Sequence, residues 1–236
     1  MNRLTDIHQH LLWDMDDGAP DEETTLAMLR DAQEQGIRRI YATPHACPGY
    51  RPFDMAKYEE RLAQARALCS GHGIEIRLLP GAEIAWTYNT VEALRRKRLP
   101  TLGGTDHVLL ELWNGISWHD AIHAVREMNR AGYKPVLAHV ERYACFRWNP
   151  RKALELKEHF DVAYQVNASA VLHGRTFMTR RFIKKMLREQ AIDAVASDAH
   201  DCGARPQRLG EAYAALQERC GAEYAARLVR YDKEMQ

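Results

Sequence analysis

A chain of 236 residues with 46% hydrophobic content is long enough to bury one large core, and α/β barrels reach this size without splitting, so one domain over 1–236 is expected. A formal net charge of +1 excludes an obligate polyanion binder or a polybasic membrane anchor. The longest apolar runs are strand-sized, which predicts no direct membrane insertion.

The N-terminus has no basic stretch followed by an apolar segment, so no secretory signal is expected and a cytoplasmic protein is inferred. The five cysteines include no Cys-x-x-Cys, which agrees with a reducing compartment and suggests neither a disulfide framework nor a thiolate zinc site.

In chain order, a strand over 4–7 runs into His8 and His10, which an extended backbone points the same way. Two imidazoles so placed can reach one zinc, iron or manganese ion. Asp14, Asp16 and Asp17 follow, then Gly18 at a sharp turn. A helix over 22–35 ends at Gly36, and a strand over 39–42 delivers Thr43-Pro-His45. A helix over 54–70 leads to a strand over 74–79 and then Glu83; a short basic helix over 90–97 leads to a strand over 107–112 carrying Glu111. Helix 118–131 precedes strand 134–138 and His139, and helix 150–160 precedes strand 162–166 and Asn167. Helix 179–190 precedes strand 192–196, which ends in Ser197-Asp-Ala-His200, and 208–230 is helical around Gly221.

Seven βα units with apolar strands predict a parallel sheet, most simply a (β/α)7 barrel without a clear eighth strand. A doubly wound open sheet would need a Gly-rich first loop, and here that loop holds histidines and aspartates. A barrel builds its site at the carboxyl ends of its strands. Those ends carry His8, His10, His45, Glu83, Glu111, His139, Asn167, Asp198 and His200. One such residue is a cap or a core histidine; so many together imply two or three divalent cations bridged by carboxylates.

The blocks Asp6-Ile-His-Gln-His10, Asp16-Asp-Gly18, Thr43-Pro-His45, Gly81-Ala-Glu83, Glu111, Ala138-His-Val-Glu-Arg-Tyr143 and Ala196-Ser-Asp-Ala-His200 resemble the PHP (polymerase and histidinol phosphatase) superfamily. Within it they are similar to the bacterial capsule and exopolysaccharide tyrosine phosphatases. The resemblance implies a distorted (β/α)7 barrel and a metal-dependent protein-tyrosine phosphatase with manganese, or alternatively iron or zinc. It implies one cation on His8, His10, Glu83 and Asp198, a second sharing Glu83 with Glu111 and His139, and a third on Asp17, His45 and His200. Arg142 and Arg205 match arginines that hold the phosphate while a metal-activated hydroxide attacks phosphorus. The implied partner is the phosphotyrosine-bearing tail of a membrane tyrosine kinase; an oligomer is allowed, and no nucleic acid is expected. Gln9 stands where a small serine is usual, with its side chain expected to point away from the metals. The usual Asn-Pro end of the last helix is missing, which bears on tail contacts rather than chemistry.

Three other functions compete with this one. A histidinol-phosphate or other small-molecule phosphatase uses the same metal chemistry. A metal-loaded regulatory module would bind without turnover. Two Cys-x5-Arg stretches, 145–151 and 202–208, match the loop of thiol-dependent phosphatases but are bulky or interrupted by Pro206. Asp201 or His200 is a candidate proton donor, and Trp13, Tyr50, Tyr88, Trp113 and Tyr143 are candidates for a phenol-sized mouth. The basic stretches 95–98 and 180–185 read as solvated faces.

Overall fold

The computed structural model describes residues 4–174 and 176–231. Its strands are β1 (Leu4–Gln9), β2 (Ile37–Ala42), β3 (His45–Ala46), β4 (Arg77–Pro80), β5 (Glu83–Ala85), β6 (His107–Glu111), β7 (Lys134–Leu137), β8 (Ala163–Asn167) and β9 (Ala194–Ala196). Every pairing among them is parallel, in the orders β1-β2-β4 and β3-β5-β6-β7-β8-β9. β2 and β3 are two parts of one strand, parted at Thr43-Pro44, where proline has no N–H to give to the ladder. β4 and β5 are likewise parted at Gly81-Ala82, and the Glu83 N–H donates to the Pro44 carbonyl across the gap at 3.1 Å.

The circle closes between the first and last strands. The Asp198 N–H donates to the His8 carbonyl and the His10 N–H to the Ala199 carbonyl, both at 2.9 Å. Counted as β1, β2/β3, β4/β5, β6, β7, β8 and β9, the described strands form the seven-stranded barrel that the sequence predicts.

Side chains sort by the two-residue period of a strand. Ile7, Tyr41, Leu109, Val136, Ala138, Ala163, Ala194 and Ala196 form one buried cluster with Leu102 and Tyr231, which we place inside the barrel. The alternate residues Ile40, Leu110, Leu137, Tyr164 and Val195 join the larger core under the helices. Four alanines among the inner residues suit the narrow lumen of a small barrel.

The helices are α1 (Glu22–Glu34), α2 (Met55–Gly71), α3 (Thr90–Arg95), α4 (Trp118–Arg130), α5 (Ala144–Arg147), α6 (Pro150–His159), α7 (Ala168–His173), α8 (Phe177–Arg188), α9 (Leu209–Cys220) and α10 (Ala222–Leu228). Asp21, Asp54, Ser117 and Thr176 cap α1, α2, α4 and α8 by accepting a backbone N–H three residues on, satisfying donors the helix leaves open. The expected helix over 208–230 is broken into α9 and α10 by Gly221 at φ 85°, a left-handed conformation that stops the first helix. The third strand starts at Arg77 rather than residue 74, because pairing with β2 begins only at Arg39 opposite Arg77. α5 and α7 carry no sequence signal of their own; each is too short to show a helical period. No helix of the described residues is long and apolar enough to cross a membrane.

Gln9 is buried, and its amide has no hydrogen-bond partner at either atom. Leaving such groups unmade costs about 1–3 kcal/mol. Gln9→Met, nearly isosteric and apolar, is therefore expected to stabilise the fold by about 1 kcal/mol. A scan at matched metal loading should show Tm raised by roughly 2–4 °C; an unchanged or lowered Tm would mean that the amide is satisfied in solution.

Candidate metal centre

All nine residues expected to bind metal lie together at one end of the barrel. His8 lies near the end of β1 and His10 just beyond it, where the register shifts between Asp6 and Gln9. His45 and Glu83 open β3 and β5 and are register partners, which sets a histidine beside a carboxylate. Glu111 ends β6, and His139 follows β7 at the start of a short turn, Val140–Arg142. Asp198 and His200 follow β9. His139 (φ 34°) and Asp198 (φ 55°) adopt left-handed backbone that costs a non-glycine residue energy, a strain that concentrates at functional sites. Asp17 arrives on the loop after β1, which folds back on itself: the Ala19 N–H donates to the His10 carbonyl at 3.1 Å. Only glycine fits at position 18, since a Cβ there would lie 2.1 Å from that carbonyl oxygen.

Three groups of ligand atoms result, each within 4.8 Å of one another: His8, His10, Glu83 and Asp198; His10, Asp17, His45 and His200; and His45, Glu83 and Glu111. In the first, both imidazole Nε2 atoms face Glu83 Oε2, at 3.1 and 3.2 Å, and Asp198 Oδ1, at 3.5 Å each. In the second, Asp17 Oδ1 is 3.4 Å from Nε2 of both His45 and His200. In the third, His45 Nδ1 lies 3.1 Å from Glu83 Oε2 and 3.9 Å from Glu111. His139 Nε2 stands against the same carboxylates, 2.7 Å from Glu83 Oε1 and 3.6 Å from Glu111 Oε1.

Hydrogen bonds on the far side of each ring choose among these overlaps, because a neutral imidazole offers one lone pair. His8 Nδ1 is held by Gln165 Oε1 at 3.2 Å, His10 Nδ1 by Asp16 Oδ2 at 2.6 Å and His200 Nδ1 by the Asp198 carbonyl at 3.0 Å. All three rings therefore present Nε2 to the centre. His200 Nε2 is buried there without any hydrogen bond. If His45 offers Nε2 beside Asp17 and His200, its Nδ1–H points at Glu83, leaving His139 as the nitrogen beside Glu83 and Glu111. The geometry accommodates the three ligand sets that the resemblance implies, and the donors, all imidazole and carboxylate, suit zinc, manganese or iron.

The charges agree. Burial pushes the Glu111 carboxyl up to about 7, with the neighbouring Glu83 charge adding to it. Burial lowers the affinity of His45 and His139 for a proton, and with His10 nearby it brings His200 down to about 4. Burial also opposes the protonation of His10, but Asp16 and Glu83 outweigh it and push this imidazole up to about 10. Burial likewise opposes a proton on His8, but Glu83 and Asp198 outweigh it and raise this imidazole, so protons and cations compete for the same buried carboxylates.

A second layer holds this arrangement. Asp16 also accepts the backbone N–H of His45 at 2.8 Å and of Gly18 at 2.9 Å, tying the β1 loop to β3. Gln165 accepts the His139 N–H at 2.7 Å, and Asn167 Nδ2 donates to Asp198 Oδ2 at 2.7 Å. Asp6 ties β1 to β9 by accepting from the Ser197 N–H at 3.0 Å. In the sequence Asp16 is one of three carboxylates with no distinguishing role and Gln165 carries no signal; only the fold brings their partners near. Asp16→Asn, which leaves the His10 ring without its carboxylate, is expected to weaken metal affinity about 10–100-fold. Titration against a chelating indicator would read this, and unchanged affinity would show that other contacts orient His10.

Arg142 and Arg205 roof the site, converging on Asp198. Arg142 Nη2 donates to Asp198 Oδ2 at 2.6 Å, while Arg205 donates to Asp198 Oδ1 at 3.3 Å and Asp17 Oδ2 at 3.1 Å. Each is partly exposed, so both guanidinium forks stand between the ligand cluster and solvent.

Several sequence candidates fall elsewhere. Burial raises the thiols of Cys145, on α5, and Cys202, in an exposed loop, whereas a nucleophilic cysteine needs its thiolate favoured. The Asp201 carboxylate accepts the N–H groups of Gly203 at 2.6 Å and Arg205 at 3.0 Å, shaping the loop that carries Arg205 rather than holding a proton. Tyr143 is buried, its hydroxyl donating to the Ala138 carbonyl at 2.6 Å, and Trp13 is buried under Arg61. Tyr50, Tyr88 and Trp113 are the exposed aromatics of the candidate set.

The sequence profile of the family "Capsular polysaccharide synthesis, CpsB/CapC" matches residues 4–235. The tyrosine-protein phosphatase CpsB of Streptococcus pneumoniae is 30% identical over 230 residues, covering 95% of this chain and 94% of the relative. The tyrosine-protein phosphatase YwqE of Bacillus subtilis is 31% identical over 220 residues, covering 93% and 86%. A chain from the crystal structures of YwqE from Bacillus subtilis and CpsB from Streptococcus pneumoniae, described as unique metal-dependent tyrosine phosphatases, superposes with a TM-score of 0.90 at 30% identity, covering 98% of this chain and 94% of that one. The histidinol phosphate phosphatase of Lactococcus lactis, in complex with zinc, L-histidinol and phosphate, shares the fold at a TM-score of 0.59 and 13% identity, covering 94% of each chain. With its profile matched along almost the whole chain and its barrel and strand-end residues in place, this protein belongs to the CpsB/CapC family of capsular polysaccharide synthesis.

Proposed function

We propose that the protein is a metal-dependent phosphomonoester hydrolase acting on phosphotyrosine in protein. The observation that carries this is the buried ring of imidazoles and carboxylates roofed by two arginines, in a chain whose relatives are named tyrosine-protein phosphatases. Two or three divalent cations, with manganese the first choice, are assigned to His8, His10, Glu83 and Asp198, to Glu83, Glu111 and His139, and to Asp17, His45 and His200. Bound there, they supply Lewis acidity towards phosphoryl oxygens and acidify water.

The chain's own residues do the rest. Arg142 and Arg205 exchange their Asp198 contacts for phosphate oxygens, and the planar guanidinium fork holds these in a fixed orientation. Asp16, Gln165 and the Asp198 carbonyl keep the rings fixed, so little reorganisation accompanies binding. A phenolate leaves readily, which is consistent with Asp201 being an acceptor and with no proton donor being assigned. Exposed Tyr50, Tyr88 and Trp113, on the segments that follow β3, β5 and β6, are assigned as the rim that receives an aromatic leaving group. The substrate is assigned as the phosphotyrosine-bearing tail of a membrane tyrosine kinase, reached from the cytoplasm.

Metal-stripped protein, resupplied with one cation at a time, should hydrolyse p-nitrophenyl phosphate and phosphotyrosine peptides at least about tenfold faster, in kcat/KM, than phosphoserine peptides or histidinol phosphate. Preference for histidinol phosphate would make it a small-molecule phosphatase. Absence of turnover with every cation would leave a metal-loaded regulatory module.

A further inference from the structure

Away from the metal centre, a groove of about 1160 Å³ runs over α8 between the start of α6 and the α7–α9 side of the barrel. Its walls include Arg151, Arg180, Arg181, Lys184, Arg188 and Arg219, all exposed, and no acidic residue. Helix stability does not account for this charge. Arg180 and Arg181 lie near the N-terminal end of α8, where the helix dipole disfavours cations, and the first turn has no acid. Glu189 pairs with Lys185 and Arg188, but no carboxylate among the described residues pairs with Arg151, Arg180, Arg181, Lys184 or Arg219. Arg180 and Arg219 instead donate to the Gly174 and Val171 carbonyls, which fixes them along the groove.

Spacing and position narrow the occupant. Arg180, Lys184 and Arg188 follow one another at four-residue intervals along α8, about 6 Å apart along the helix axis. Alternate side chains of an extended peptide repeat at about 6.6 Å. A concave channel receives such a chain and not a flat bilayer. The groove is joined to the metal centre through the chain: α5 and Trp148 follow directly on the turn that carries Arg142, and α8 packs against that turn. Trp148, which lines the groove, is 65% exposed and adds apolar contact.

We propose that this groove is a docking site for an acidic polypeptide segment flanking the phosphorylated residue, an inference that rests on the phosphatase reading. Long-range attraction then captures the substrate by its flank and delivers the phosphotyrosine to the arginine roof.

The test uses two phosphotyrosine peptides with the same central residues and either Asp/Glu or Ser/Gln flanks, with metal-loaded wild type and the Arg181→Glu/Lys184→Glu double variant. Wild type should prefer the acidic peptide at least about tenfold in kcat/KM, through KM and not kcat, with the preference shrinking as salt screens it. The double variant should lose that preference while turning over p-nitrophenyl phosphate at the wild-type rate. Equal use of both peptides by wild type, or a preference that survives in the variant, would overturn the proposal. Fluorescence anisotropy with the unphosphorylated acidic peptide reads the groove without turnover, and Arg181→Ala/Lys184→Ala repeats it with a milder change. Binding by wild type that both variants lose supports the groove even if no phosphopeptide is hydrolysed, which would sink only the phosphatase reading. No peptide binding, or binding to phosphatidylglycerol vesicles in its place, would overturn the docking site.

Discussion

Glu83→Ala is expected to lose more metal than any other single substitution and to lower kcat/KM by at least about a thousandfold, roughly 4 kcal/mol of transition-state stabilisation. The reason is how many partners this carboxylate serves. Its two oxygens lie 3.1 Å from His8 Nε2, 3.2 Å from His10 Nε2, 3.1 Å from His45 Nδ1 and 2.7 Å from His139 Nε2. It belongs to two of the three ligand groups, so its removal takes the shared oxygen from both. Elemental analysis should show at least one equivalent of metal lost, with the far-UV and near-UV circular dichroism used to confirm an intact fold. Full occupancy with an unchanged rate would show that Glu83 is not the bridge.

Arg142→Lys and Arg205→Lys should each cut kcat/KM by at least about tenfold, or about 1.4 kcal/mol, with metal content unchanged. Lysine keeps the charge but loses the fork, and neither arginine is assigned to a cation. Both side chains now bind Asp198, so part of the loss will reflect a carboxylate left with a weaker partner. Cys145→Ser and Cys202→Ser, made beside them, should be near neutral, since burial raises both thiols. Loss of activity in either serine variant with metals intact would transfer the chemistry to a thiol. Full activity in both lysine variants would remove the phosphate clamp but leave the metal centre standing.

Much of this architecture is legible in the chain itself. Strands and helices alternate with turn residues between them, and the strand ends carry His8, His10, His45, Glu83, Glu111, His139, Asp198 and His200 in succession. A parallel barrel gathers the carboxyl ends of its strands, so residues at those ends must meet whatever the intervening helices contain. Periodicity and end position are local properties, and local properties survive in a one-dimensional reading.

What the chain alone could not decide depends on contacts between distant segments. Which nitrogen of each imidazole faces the centre is set by Asp16, Gln165 and the Asp198 carbonyl, and Gln165 lies 157 residues from the His8 that it orients. The convergence of Arg142 and Arg205 on one carboxylate, the burial of Gln9 and Tyr143, and the split of two strands at Thr43-Pro44 and Gly81-Ala82 are likewise tertiary. The basic stretch 180–185 reads as a solvated face from its sequence; packing of α8 against α6 and α7 makes it a wall of a groove. A charge pattern specifies a helix face, but only the neighbours of that helix determine whether the face is convex and open or concave enough to hold a chain.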